Sequence, residues 1–236
     1  MKKLTFIIAA LFLAAILPAK AQDISFDSDD NAPYLGVRLG LDISCPTDMH
    51  INLGSAHFSA PMFDNGAGFD IGAVYNIPLW KNLYFEPGLS FYYNTMGIDV
   101  SYADSEGAIP DGTELSASIR RFGFRIPFQV GYHVDFSQFS LAAFTGPVLT
   151  TGIIGRGHAS AKYQGIKETE SENIYGGDGI LNRVDLGWKI GVGATFDRFV
   201  LQLSGTIGMC NMLNGADGAK YRDNNVALTL GYNFSL

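Results

Sequence analysis

Along most of this chain apolar side chains recur at every second position. In residues 183–196, Val184, Leu186, Trp188, Ile190, Val192, Ala194 and Phe196 hold one phase, while Asp185, Gly187, Lys189, Gly191, Gly193 and Thr195 hold the other. A period of two is the mark of a β-strand, whose side chains alternate between two faces. Six further segments keep an apolar phase free of charge: Leu35 to Ile43, Phe69 to Leu79, Leu83 to Tyr93, Phe122 to Val134, Phe199 to Met209 and Val226 to Leu236. An eighth, FSLAAFTGPVLTTG from Phe139, blurs around Gly146-Pro147, where a residue without an N–H predicts a bulge or kink.

The connections alternate in length. Trp80-Lys81-Asn82, Asp135 to Gln138 and Asp197-Arg198 are tight turns, whereas Ser44 to Gly68, Asn94 to Arg121, Thr151 to Arg183 and Cys210 to Asn225 are long and rich in Gly, Asn, Asp and Ser. The pattern predicts an all-β chain folded as an eight-stranded antiparallel up-and-down transmembrane β-barrel, with short periplasmic turns and long extracellular loops.

The second phase decides which face meets what. A water-soluble barrel would carry Lys, Glu, Gln and Thr on its outer face. Here the non-apolar phase holds Gly36, Gly40, Gly72, Gly131, Gly191 and Gly231 beside large groups such as Tyr84 and Tyr92. Large side chains lying over glycine gaps suit a narrow, packed lumen. The apolar phase is therefore expected to face lipid. Eight strands in a bilayer must then close on themselves to satisfy every backbone group. The charged residues of the inward phase are Arg38, Asp42, Asp70, Glu86, Arg121, Arg125, Asp185 and Lys189. Their mixed signs at similar depths predict a salt-bridged lumen network, because buried charges persist when paired.

Composition supplies the address. MKKLTFIIAALFLAAILPAKA, residues 1–21, has two lysines, an apolar run and a small-x-small end, the layout of a cleaved secretory signal peptide. Residues 22–33 are acidic and aperiodic and read as a periplasmic leader, leaving 34–236 for the barrel domain. Without Lys2, Lys3 and Lys20 the 16 basic residues fall to 13 against 23 acidic ones, a formal charge of −10 that argues against nucleic acid as a partner. Cys45 and Cys210 fall at loop-side strand ends, on strands separated by one other, so free thiols are expected.

No motif carries chemistry. His50, His57 and His158 lie in long loops and His133 faces the lumen near the periplasmic end, none at an evident spacing from a serine and a carboxylate. GVGATF lacks the third glycine of a dinucleotide fingerprint and stands inside a strand. NGADGAKYRDNN and YGGDG have oxygen donors for a cation but read as turns, so no metal, cofactor or catalytic residue is assigned. The loop aromatics Phe58, Phe63, Tyr102, Tyr163, Tyr175 and Tyr221 fit a binding surface and fit loop packing equally.

LYFEPGLSFYYNTMG (83–97), FRIPFQVGYHV (124–134), FSLAAFTGPVL (139–149) and RVDLGWKIGVGATFDRFVLQLSGTIGMCNM (183–212) resemble, in order and spacing, the PorT-like outer-membrane β-barrel family. The resemblance covers essentially the whole chain after the signal. It implies an eight-stranded outer-membrane barrel, one branch of the family being associated with protein export; no residue here marks that branch. The expected function is non-enzymatic: a barrel in outer-membrane lipid whose four loops are structural or bind an extracellular or envelope protein, glycan or lipid. The alternative is a narrow or gated, porin-like channel, or an accessory of protein export across the outer membrane.

Overall fold

A computed structural model describes residues 32–53, 56–98, 113–163, 166–176, 179–215 and 219–235; the expected signal peptide (1–21) and nearly all of the expected leader (22–33) lie outside them. Eight strands build the ring: β1 (Tyr34–Pro46), β4 (Gly66–Trp80), β5 (Leu83–Ile98), β6 (Glu114–Asp135), β7 (Ser140–Tyr163), β9 (Val184–Phe196), β10 (Phe199–Gly208) and β12 (Asp223–Ser235). Each pairs antiparallel with its chain neighbour, and β12 returns to β1 from Tyr34↔Ser235 to Pro46↔Asp223, which closes the barrel. Among the described residues no helix is long and apolar enough to cross a membrane, which says nothing against crossing by strands.

The alternating phases separate as expected. Leu39, Ile71, Phe91, Trp188, Ile190 and Leu230 are among the exposed apolar residues, while Tyr84, Tyr92, Arg38, Glu86 and Arg121 are buried inside. Trp80, Tyr132, Phe196, Phe199 and Phe234 ring the turn end, an aromatic girdle at a membrane boundary. In the turns Lys81 and Asp197 adopt positive φ (52° and 53°), the backbone twist a two-residue hairpin requires.

Glycine lets the lumen fill. A Cβ on Gly231 would stand 2.7 Å from the Arg38 side chain, and one on Gly131 would collide with the Tyr84 ring. Gly231→Val is therefore expected to displace Arg38 and cost about 1–3 kcal/mol, measured by urea unfolding in lipid or detergent.

Two expectations need correction. The irregularity predicted at Gly146-Pro147 lies elsewhere: β6 and β7 keep one register from Pro127↔Val148 to Val130↔Thr145, and the shift falls between Phe122↔Ile154 and Gly123↔Gly152, leaving Ile153 as the extra residue. One missing N–H interrupts a ladder without adding a residue to it. The four long connections, moreover, are not simply loops. β6 and β7 run 22 and 24 residues, roughly twice what a spanning strand needs, and continue with β8 (Ile166–Asn173) as a sheet raised beyond the membrane. A second small sheet joins β11 (Ala219–Lys220), β2 (Met49–Leu53) and β3 (Ala56–Ala60).

At the base of the raised sheet the apolar phase inverts. On β6, Phe128 and Val130 face outward but Ile119 is fully buried; on β5, Leu89 and Phe91 face outward but Met96 is 1% exposed. Outside the bilayer the outer face meets water, so apolar groups turn inward. They meet Phe63, Ile174, Tyr175, Leu181, Met212, Leu213 and Tyr221 in a compact core above the lumen. Phe63, Tyr175 and Tyr221, open between binding and packing on sequence grounds, are thus packing residues; Tyr163 is exposed, and Tyr102 lies outside the described residues. Burial pushes the Tyr175 and Tyr221 phenols up, so both stay neutral.

Candidate functional site

The lumen holds the cations Arg38, Arg121, Arg125 and Lys189 with the carboxylates Asp42, Asp70, Glu86, Asp185 and Asp223, each presented by the inward phase of its strand. They form layers. Nearest the turns, Arg38 (β1) meets Glu86 (β5) at 3.3 Å and donates to Asn233 Oδ1 at 2.9 Å, while the Tyr34 hydroxyl donates to Glu86 at 2.7 Å. Above them Arg125 (β6) reaches Asp42 (β1) at 2.5 Å and Asp70 (β4) at 3.7 Å, with its guanidinium 4.6 Å from the Tyr92 ring.

In the highest layer Arg121 (β6) donates to Asp223 (β12) at 2.5 Å and to Asn94 Oδ1 at 3.2 Å, and Asn94 donates to Ser44 Oγ at 2.8 Å. The arginine–carboxylate pairs all join strands that are not neighbours along the ring, so the layers exist only when the ring is closed. Charge-assisted hydrogen bonds of this length in a region of low polarity are the form in which buried ions are tolerated.

Two residues of the predicted set stand apart from these pairs. Lys189 reaches no carboxylate within ion-pair distance among the described residues, and its ammonium lies 5.8 Å from the Phe144 ring centre. Asp185 is buried beside the cap, with Oδ1 lacking a protein partner. Conversely, Asp223, Asn94, Ser44 and Tyr34 belong to the network and were absent from the predicted set. Their signal was available: Asp223 shares the inward phase of Asn225, Ala227 and Thr229, and Asn94 that of Tyr92. Taking the strands as ending with their apolar phase cut them off.

Little space remains. Beside Lys189 and Asp70 lie two cavities of about 40 Å³ each, room for a few waters. A cavity of about 370 Å³ opens at the turn end, where Tyr34, Asn76, Tyr84, His133 and Arg198 are among its walls. Here His133 Nδ1 lies 3.0 Å from Asp135 Oδ1, and Asn82 donates to the His133 carbonyl at 2.9 Å. Ser140 lines the same cavity, but among the described residues no Ser or Thr hydroxyl hydrogen-bonds the imidazole. A nucleophile needs its base within that reach. Cys45 and Cys210 are free thiols, and the described residues contain no cluster of metal-binding type.

A family model described as outer membrane protein beta-barrel domain matches residues 23–214. No curated protein sequence matches the chain. Among solved structures the chain is similar to Ail, the attachment invasion locus protein of Yersinia pestis, at 14% identity and a TM-score of 0.34, over 86% of this chain and 99% of that one. It is similar also to Neisserial surface protein A, at 12% identity and 0.34 over 91% and 100%, and to the outer membrane protease OmpT of Escherichia coli, at 8% and 0.32 over 92% and 99%. At these scores the likenesses carry no argument about function. The family model, in contrast, spans most of the chain and all the ring strands except β12; by that match, the chain belongs to the outer membrane protein beta-barrel domain family.

Proposed function

We propose that this barrel is a non-enzymatic display scaffold, whose raised sheet and capped outer end bind an envelope or extracellular partner. One observation carries the reading: the lumen is filled by layered ion pairs under an apolar cap, while β8 rises outside with one side paired to β7 and its other edge unpaired among the described residues. A barrel of eight strands has an interior only side-chain wide, so an ion path would have to displace Arg125 or Arg38 from its partners. An unpaired edge, in contrast, offers backbone donors and acceptors to another strand. Export from the cytoplasm by a cleaved signal peptide belongs to the same reading. Among the described residues no Ser or Thr hydroxyl hydrogen-bonds His133 beside Asp135, an arrangement that does not favour acyl transfer.

The purified full-length protein is expected to give no sustained conductance in planar bilayers. Cross-linking in outer membranes is expected to trap a partner that is lost with Thr169→Pro in β8, a change remote from the lumen. Steady, ion-selective conductance shifted by Glu86→Gln would favour the channel reading instead. An accessory role in protein export rests on the PorT-like resemblance alone.

A further inference from the structure

The raised sheet has two chemically opposite faces. Register places Glu168, Glu170 and Glu172 of β8 beside Ala161, Ala159 and Gly157 of β7, and these beside Leu115, Ala117 and Ile119 of β6. Ile119 is buried under the cap, so this is the face that looks over the barrel mouth. The outward face carries Arg120, Arg156, His158, Lys162 and Lys167, with Glu114 in register beside Lys162, and Ser118, Ser160, Thr169 and Ser171 interspersed. β8 thus sends its glutamates to one face and its lysine to the other.

The lowest outward row is Thr95–Arg120–Arg156–Asn173, running side by side across β5, β6, β7 and β8. It stands one side-chain repeat above Phe122 and Ile154, the top of the apolar belt on β6 and β7. From Phe122 down to Tyr132 the strand covers roughly 25 Å along the membrane normal, the height of an outer-membrane barrel's apolar band. The row therefore lies at the level of the outer leaflet's head groups. Arg120 and Arg156 are directly opposite each other and both exposed, and among the described residues neither has an ion-pair partner. Like charges placed opposite each other on neighbouring strands repel. On β4 and β12 the corresponding outward positions above the belt, Ala67 and Asn224, are uncharged.

We propose that Arg120 and Arg156 hold a phosphate group of an acylated, phosphorylated glycolipid of the outer leaflet, with Thr95 and Asn173 flanking it as neutral hydrogen-bonding groups. Two adjacent guanidiniums supply the planar, multidentate donors that a phosphate accepts, and the anion removes the repulsion between them. The acyl chains of such a lipid would lie down the belt below, against Phe122, Phe124 and Ile154, so one molecule meets apolar and cationic surfaces at the depths where it has each kind of group. The contact ties one side of the barrel to the leaflet and is separate from partner binding at the β8 edge.

The test titrates the full-length protein in a zwitterionic detergent with diphosphorylated lipid A, with the same lipid enzymatically dephosphorylated, and with heparin, reading bound lipid by native mass spectrometry and affinity by thermophoresis. Parent protein is expected to prefer the phosphorylated form by about tenfold or more, a preference that falls with salt. Arg120→Gln with Arg156→Gln should abolish the preference while leaving heat-modifiable migration intact, and Arg120→Lys with Arg156→Lys should retain part of it. If the glutamine pair fails to fold, the phosphorylated and dephosphorylated arms on the parent decide alone. Equal affinity for the two lipids, a preference unchanged by the glutamine pair, or tighter binding of heparin than of the phosphorylated lipid would overturn the proposal, the last in favour of a soluble sulfated glycan.

Discussion

Arg125→Met is expected to cost the fold roughly 3–5 kcal/mol, the scale for removing one member of a buried ion pair. The guanidinium contacts Asp42, whose side chain is 0% exposed, and stands 3.7 Å from Asp70, so its removal leaves two carboxylates without their cation. Adding Asp42→Asn and Asp70→Asn to Arg125→Met should recover most of the loss, since the stranded charge and not the missing volume dominates. Lys189→Gln, which breaks no ion pair, should be much milder. Urea unfolding in lipid vesicles of these variants provides the measurement. A cost for Arg125→Met no greater than that for Lys189→Gln would show that the lumen is wet enough to solvate its charges singly.

Trp188→Arg should lower stability by roughly 2–4 kcal/mol, the scale for a cation on the lipid face near the bilayer midplane. Trp188 is 47% exposed on the outward side of β9, and its indole donates to Thr145 Oγ at 2.8 Å, which satisfies the ring's N–H where water is absent. The variant should show a large loss of heat-modifiable migration in gels. Folding like the parent would mean that the lipid and lumen faces have been exchanged.

The ring itself was legible because lipid on one side and a narrow lumen on the other impose unbroken alternation. Val184 to Phe196 announces its strand, and the glycines near Arg38 and Tyr84 announce which side is crowded. The raised sheet was hidden by the same rule. At Arg120-Arg121 the apolar phase changes parity, from Phe122 and Phe124 to Ile119, Ala117 and Leu115, and a change of parity looks like the end of a strand. In fact the strand continues and its surroundings change, from lipid to water. The inward set of Arg38, Asp42, Asp70, Glu86, Arg121, Arg125, Asp185 and Lys189 follows from phase alone. Which of them touch does not: Arg121 meets Asp223 across the barrel, a distance of 102 residues along the chain.

The seam between β1 and β12 makes closure depend on the last strand of the ring. β1, the first strand of the ring, waits for β12, the last, and until that strand arrives the growing sheet has two open edges. The same strand delivers Asp223 to Arg121 and Asn233 to Arg38, so the uppermost ion pair and closure of the wall are reached in a single step. A ring without β12 would keep nearly every charged residue of the lumen and still have two open edges and an Arg121 without its ion-pair partner. Closure of the ring is thereby a single physical event, in which the wall loses its open edges and Arg121 gains its counter-charge.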